Sequence, residues 1–567
     1  MPANPGASRS AADRVQVAPV EGAAALFTPE FQDYLVRLHD ELAPRAQALR
    51  AKRGERLARA LEQGRLPEPL PSSAVTTSDW KVPPVPKDLA TPGIEISGPC
   101  SITSMFINAL NPGPEGERAE GDLDDDEDSA GHRLIDTVRA CHNRLAAVNH
   151  ELQHVDRERN REYRIAPGEL PFFMHRERGL HLDEPEVTVD GRPVSAAILG
   201  TALTLYYPGR AQAGRGQGIY FYLPKVDGAE ECAWYRDLFD RSRALLPFLK
   251  DATIRAIPLV EALPAVYEME EMLHALGPYA AGLNAARWDL KASIFEFVMA
   301  DPSSVWPDRF GVDIKTTPFL SNIFRRLVAV CLKHGAVPIG GMATALPNPD
   351  PEVNRVAAES IKADKVWEAE QGFIRAWVAH IFHMKTAAEP FKRVHGSGAW
   401  KPRPEMMKPE SYPVRIEVPA GPITLEGTRR NARMVIEYAE GWLQGRGAKG
   451  IDSLAGKPGV HPALMEDLAT GRMSVAQIAQ RIRHSVKTSQ GPAATHDAAL
   501  VKRLLQEECE DILRLIKSRD AQTEERYRKA VKIAQRWIKN YVELDYRSLG
   551  SYTRADLDRI AREPDAL

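Results

Sequence analysis

Residues 252–261 read ATIRAIPLVE, and residues 281–289 read AGLNAARWD. Each is a short, mostly apolar run that ends on a carboxylate, Glu261 in the first and Asp289 in the second. An ionised carboxylate is expensive to bury unless something pairs with it. On spacing alone two readings are open. Each acid could cap a following helix, where the helix dipole favours negative charge. Alternatively, the two could supply oxygen ligands to Mg²⁺, with water and a small oxyacid completing the shell. The metal would then neutralise acids that burial alone would protonate.

The texture of these runs repeats on either side. The stretches LPFFMH, GIYFYLPKV, GAVPIGG and RAWVAH alternate with helical patterns such as ECAWYRDLFDRSRALLPFL and NIFRRLVAVCLKHG. Strand–helix alternation from about residue 95 to 385 predicts an α/β fold with a parallel sheet. Its length and repetition suit a TIM (β/α)₈ barrel better than an open sheet. The functional end of either fold is the carboxyl end of its strands. Arg176, Lys225, Glu261 and Asp289 all fall there.

The flanks read differently. Residues 1–20 lack an apolar stretch and are expected to form a disordered tail. Residues 21–95 read as an N-terminal helical clasp and linker. Thr28 caps, Pro29 suits the first helical position, and Phe31, Leu35, Leu38 and Leu42 share one face. Pro44 interrupts, and the basic stretch RAQALRAKRGERLARALEQG is expected to present a solvated helix face. Residues 96–395 make the barrel with its metal and substrate site. Residues 396–567 make a C-terminal helical domain, with one apolar stripe at Val501, Leu505, Cys509, Ile512 and Ile516 and another at Tyr527, Val531, Ala534 and Trp537. Those stripes can pack internally, so they are no warrant for a dimer.

Composition removes several function classes. The 74 basic and 77 acidic side chains leave a net charge of −3, which offers no electrostatic footprint for nucleic acid or an anionic membrane. No apolar run approaches the roughly 20 residues of a membrane span. Five cysteines without a CxxC pair argue against a disulfide framework or zinc site and fit a reducing cytoplasm. The final EPDAL is not a peroxisomal address of the SKL type. The glycines of AGRGQG precede a strand rather than open a helix, so a dinucleotide loop is excluded. The run EGDLDDDEDSAG lacks the ligand order of a calcium loop and is expected to be a solvated acidic loop. Arg176 and Arg178 in MHRERGLHL could pair with carboxylates or stabilise a developing oxyanion. Asp467 in MEDLATGRMS reads on its own as an acidic residue before a helix.

Taken together, SGP, INALN, RGLHL, VDGRPVS, GRGQGIYFYLPK, TIRAIPLVE, EMEEML, AGLNAARWD, PDR, GAVPIGGMA, ADK, WVAH, NARMVIEYAEGWL and LMEDLAT resemble the malate synthase family, most closely its shorter A-type members. The order and spacing of the matches carry the resemblance, which begins near residue 27 with FTPE and runs to about residue 490. It implies a TIM barrel with a helical clasp and a C-terminal helical plug. It also implies Mg²⁺-dependent condensation of acetyl-CoA with glyoxylate and water, giving malate and CoA. Glu261 and Asp289 would be the metal ligands. Arg176 would be the catalytic arginine and would bind substrate together with Trp288 and Asp289. Asp467 would be the base, with geometry counting for more than a shifted pKa.

Two stretches depart from the family pattern. Where A-type members show FEDANSPTW, this chain has LDDDEDSAG; Asp124 and Asp125 then hold the paired-acid positions, with Asp125 supporting the metal shell. Where the family shows WVAHPGLVP, this chain has WVAHIFHMK, a change expected in the wall near the CoA thioester, with His383 as a packing residue. A related acyl-CoA and 2-oxo acid condensing enzyme, or a malyl-CoA-type lyase with altered acyl-CoA choice, is the alternative. A non-catalytic scaffold is the remote one.

Overall fold

A computed structural model describes residues 10–157, 159–452, 463–516, 520–547 and 549–567, leaving aside the side chain of Arg554. Helix α1 spans Pro29–Gln63 without a break; the Thr28 hydroxyl accepts the Phe31 N–H at its start, and Gly64 closes it in the left-handed region. The expected interruption at Pro44 is corrected. A proline removes one backbone hydrogen bond, but Leu42, Ala43, Ala46 and Leu49 are buried on both sides of it, so packing carries the helix through.

The expectation of a solvated basic face on α1 is corrected for the partly buried Arg50, Arg53 and Arg56, while Arg45, Lys52 and Arg59 stay exposed. Arg50, Lys52 and Arg56 reach Asp183, Glu230 and Asp227 at 2.8, 2.5 and 2.9 Å, while Arg45 and Arg53 pair with Asp237 and Glu231. These acids belong to the barrel, so the cationic row rivets the clasp onto it. The tail reading of residues 1–20 fails for its described part. Ala11–Arg14 is a helical turn, and Val15–Val17 is a strand pairing antiparallel with Asp183–Val189. Val15 and Val17 alternate with a polar residue, and Val15 is buried against its sheet.

Eight parallel strands close into a barrel in chain order: β1 Gly93–Pro99, β2 Gly121–Asp125, β3 Phe172–Arg176, β4 Ile219–Leu223, β5 Ile254–Val260, β6 Gly282–Ala285, β7 Val337–Ala343 and β8 Arg375–Val378. β8 pairs with β1 to complete the ring. The alternation of a strand places Tyr220, Tyr222, Ile257 and Leu259 in an inner cluster with Met174, Ile339 and Trp377. Ile219, Phe221, Ala256 and Val260 face outward onto the helical layer.

The acidic run is not a solvated loop. Gly121–Asp125 is a barrel strand buried along its length, and Asp126, Glu127, Asp128 and Ser129 beyond it are buried too. Its charges find distant partners. Helix α2 (Leu134–Val148) sends Arg144 between Asp124, at 2.7 Å, and Glu177, at 2.6 Å, and His175 Nδ1 lies 2.7 Å from Asp124.

Helix α3 (Ala229–Leu245) packs against α1, and α4 (Arg287–Val298) follows β6. The C-terminal region is built on α5 (Leu425–Leu443), α6 (Leu468–Arg483), α7 (Ala498–Leu515) and α8 (Ala521–Val542). Its apolar stripes are spent within it: Val501, Leu505, Cys509, Tyr527 and Trp537 are buried among these helices. α6 lies along α4, which brings the C-terminal region over the barrel mouth.

Candidate active site

Successive barrel strands deliver charged residues to one rim. Asp125 ends β2 and is the register partner of Arg176, which ends β3. Lys225 follows β4 by two residues, Glu261 follows β5 directly, and Asp289 lies in the first turn of α4 just after β6. All five are buried.

Arg176 is held from one side. Its Nε and Nη2 donate to the two oxygens of Asp125 at 2.7 and 2.6 Å. This two-point pairing fixes the guanidinium plane, which lies over the Trp377 ring with Nη1 3.6 Å from Asp128. Burial pushes the Asp125 carboxyl up, but the charge and hydrogen bonds of Arg176 outweigh it and hold it below the usual range.

Lys225 gathers the acids. Its Nζ lies 2.9 Å from Asp128, 3.3 Å from Glu127 and 3.7 Å from Glu261, and it pairs closely with Asp289. The Lys225 backbone sits at φ 54°, a left-handed conformation that a residue with a side chain adopts only under constraint. Two contacts impose it. The Lys225 N–H donates to Glu261, and Arg53 Nη2 donates to the Lys225 carbonyl at 2.6 Å.

Asp467 arrives from the C-terminal region. It caps α6, accepting the Thr470 N–H on Oδ1 at 3.3 Å. One cavity is lined by Asp467, Arg176, Glu261, Trp288, Asp289 and Asp128, so residues of the barrel rim and of the C-terminal region share one space. The five residues that the resemblance names as metal ligands, catalytic groups or substrate contacts, Arg176, Glu261, Trp288, Asp289 and Asp467, therefore meet here. Gly341 of β7 borders the same cavity, and a Cβ there would collide with Arg287 Nε.

The rim is over-supplied with negative charge. Burial, then Asp289 and Asp128, push Glu261 up to about 7 against the pull of Lys225. Glu127 is raised well above the carboxylate range by burial and by Asp128. Asp467 is raised well above it too, by burial first and then by Asp128 and Asp289, with Arg176 and Lys225 opposing. The expectation that geometry would outweigh a shifted pKa at Asp467 therefore needs the shift added to it.

Four carboxylates facing one cationic point, with Glu127 Oε1 buried and unpartnered, form an all-oxygen donor set that fits a hard divalent cation. Among the described residues no three His, Cys, Asp or Glu side chains are already spaced as a closed metal site. The acids close on the Lys225 ammonium instead.

Two readings of the sequence change here. The paired acids that reach the cationic centre are Glu127 and Asp128, three positions beyond Asp124 and Asp125. Asp124 faces Arg144 and His175, and Asp125 faces Arg176. Residues 380–385 line neither this cavity nor the one beside it. His383 is a packing residue, buried and pushed down to about 4 by that burial. The sequence reading did not assign Glu127, Asp128 or Arg472 any place in the site, and it gave Lys225 a rim position without a role. An excess of acids in one short run was the available signal for the first two.

Residues 172–404 match the family described as malate synthase, TIM barrel domain, and residues 422–553 match that described as malate synthase, C-terminal. Malate synthase A of Escherichia coli (strain K12) is 33% identical over 490 residues, covering 85% of this chain and 87% of that one. Malate synthase of Streptomyces clavuligerus is 35% identical over 480 residues, covering 83% and 85%. A glyoxysomal malate synthase of Candida tropicalis is 33% identical over 498 residues, covering 85% of each.

Proposed function

The chain belongs to the malate synthase family, and on that premise we propose that its barrel mouth condenses acetyl-CoA with glyoxylate and hydrolyses the product to malate and CoA. The observation that carries the reading is the single cavity where Asp467, Arg176, Glu261, Asp289 and Trp288 meet. Its residues divide the chemistry. Asp467 takes a proton from the acetyl methyl group, and burial together with Asp128 and Asp289 raises its carboxyl above the usual range, which makes it a stronger base than a solvated carboxylate. Arg176, pinned by Asp125 on one edge, directs Nη1 at the enolate oxygen that this proton loss creates. The enolate carbon then bonds to the glyoxylate aldehyde carbon, and water cleaves the resulting malyl thioester to release CoA.

The first-turn N–H groups of Trp288 and Asp289, unpaired within α4, suit the glyoxylate carboxylate. Glu261 and Asp289 are the residues that would hold Mg²⁺ on the barrel rim, with Asp128 and Glu127 beside them. When bound, the metal supplies a Lewis acid and a template for the 2-oxo acid. A cytoplasmic setting accompanies this reading, since all five cysteines are buried free thiols.

The test is free-thiol release from acetyl-CoA. It is expected only when glyoxylate and a divalent cation are both present; release that ignores glyoxylate would mark a plain thioesterase and overturn the reading.

Cation affinity should also follow pH. Glu261 must lose its proton to act as a ligand, and that proton leaves near pH 7. Below that pH the proton competes with the metal; above it the carboxylate is free. Mg²⁺ binding by calorimetry is therefore expected to be about tenfold weaker at pH 6 than at pH 8. A pH-independent affinity would remove Glu261 from the ligand set.

A further inference from the structure

Arg472 lies in the second turn of α6, five residues after Asp467, and no reading of the sequence singles it out. Its Nε and Nη2 donate to the two oxygens of Glu296 at 2.8 and 2.5 Å, a fork that fixes the guanidinium plane. Tyr541 on α8 donates to Glu296 Oε1 at 2.8 Å and holds the acid in turn. The remaining arm, Nη1, donates to Asp289 Oδ1 at 2.9 Å. Asp289 and Glu296 lie two turns apart on α4, so one arginine of the C-terminal region spans both.

The direction of approach separates this contact from substrate chemistry. Arg472 does not line the cavity that holds Asp467, Arg176 and Trp288. It lines a second cavity with Arg53, His181 and Lys225, and Glu261 and Asp289 border both spaces. Asp289 is thereby gripped from behind. Its Oδ1 takes Arg472, while Oδ2 faces the cationic centre, occupied by the Lys225 ammonium.

We propose that Arg472 is a positioning residue that couples the C-terminal region to the cation site, orienting Asp289 so that Oδ2 alone faces the cation and locking the helix whose cap is Asp467. It rests on the assignment of Asp289 as a cation ligand and Asp467 as the base. An ordinary interhelical ion pair would need only Glu296; the third arm on Asp289 is what that explanation leaves over. Partners that orient a metal ligand typically govern affinity or activity by 10–100-fold.

The test uses the full chain, with Mn²⁺ titrated into substrate-free protein and followed by electron paramagnetic resonance, alongside steady-state kinetics. Arg472→Met combined with Glu296→Gln removes one charge of each sign and leaves no buried acid unpaired. It is expected to weaken Mn²⁺ binding by about tenfold and to lower kcat by at least as much, with KM for acetyl-CoA little changed. Glu296→Gln alone keeps the arm on Asp289 and should bind Mn²⁺ within about twofold of the wild type. Arg472→Lys, which reaches Asp289 but has no fork for Glu296, should recover part of the loss and serves where the double variant does not fold. Wild-type affinity and kcat in the double variant, or in Arg472→Lys if only that folds without any loss, would overturn the proposal. So would a full loss in Glu296→Gln alone. Wild-type protein that binds no Mn²⁺ would instead fail the cation reading itself, and this inference with it.

Discussion

Replacing Asp467 with asparagine is expected to slow thiol release by about a thousandfold, roughly 4 kcal/mol of transition-state stabilisation. The substitution changes little else. Asparagine caps a helix as well as aspartate does, so the Thr470 N–H keeps its acceptor and α6 keeps its start. Removing the charge also relieves its repulsion with Asp128 and Asp289. The variant is expected to melt at or above the wild-type temperature while kcat collapses and KM for glyoxylate moves little. A variant that retained a tenth of wild-type turnover would show that another group takes the methyl proton. Asp128 is the nearest alternative by charge, but Lys225 and Arg176 hold its carboxyl well below the usual range despite its burial, which makes it a poor base.

What could be read from the residues followed a physical rule. Strands β3, β4, β5, β7 and β8 were visible because they are apolar runs buried on both faces. β6, only Gly282–Ala285, was visible as the apolar run leading to Asp289, whereas β2 is GDLDD, whose composition argues for solvent. Its burial depends on Arg144 and Arg176, which lie 20 and 51 residues further along, and local pattern does not register partners at that distance. The same reason hid Glu127 and Asp128, whose counter-charge Lys225 comes from a different strand end. Asp467 was legible only through the resemblance, because as a bare sequence it is an ordinary helix cap, and it still is one. Pro44 and the basic row of α1 misled in a related way. Each was judged by its local effect, and each was overruled by the barrel surface on which the helix lies.

Arg176 poses a sharper test, because its removal confounds stability with chemistry unless the two are separated. Arg176→Met alone would leave Asp125 buried and unpaired, and breaking a buried pair in this way costs about 3–5 kcal/mol. The loss should appear as a lower denaturation midpoint before any assay is run. Pairing it with Asp125→Asn removes both charges, and stability is then expected to return to within about 1 kcal/mol of the wild type. The amide oxygen introduced by that change can still accept one of the two N–H groups, from Glu127 and Ser129, that hold the loop on Asp125. Activity should not return with it. The donor aimed at the enolate oxygen is gone, and loss of such a donor lowers kcat by about 100- to 1,000-fold. Arg176→Lys completes the argument: it keeps the charge but has no fork to pin against Asp125 while presenting Nη1. It should therefore be stable yet impaired, lying between the double variant and the wild type in kcat. If the double variant recovered turnover together with stability, Arg176 would be a structural ion pair, and the oxyanion would have to be held by another cation of the rim, of which Lys225 is the nearest to the acids.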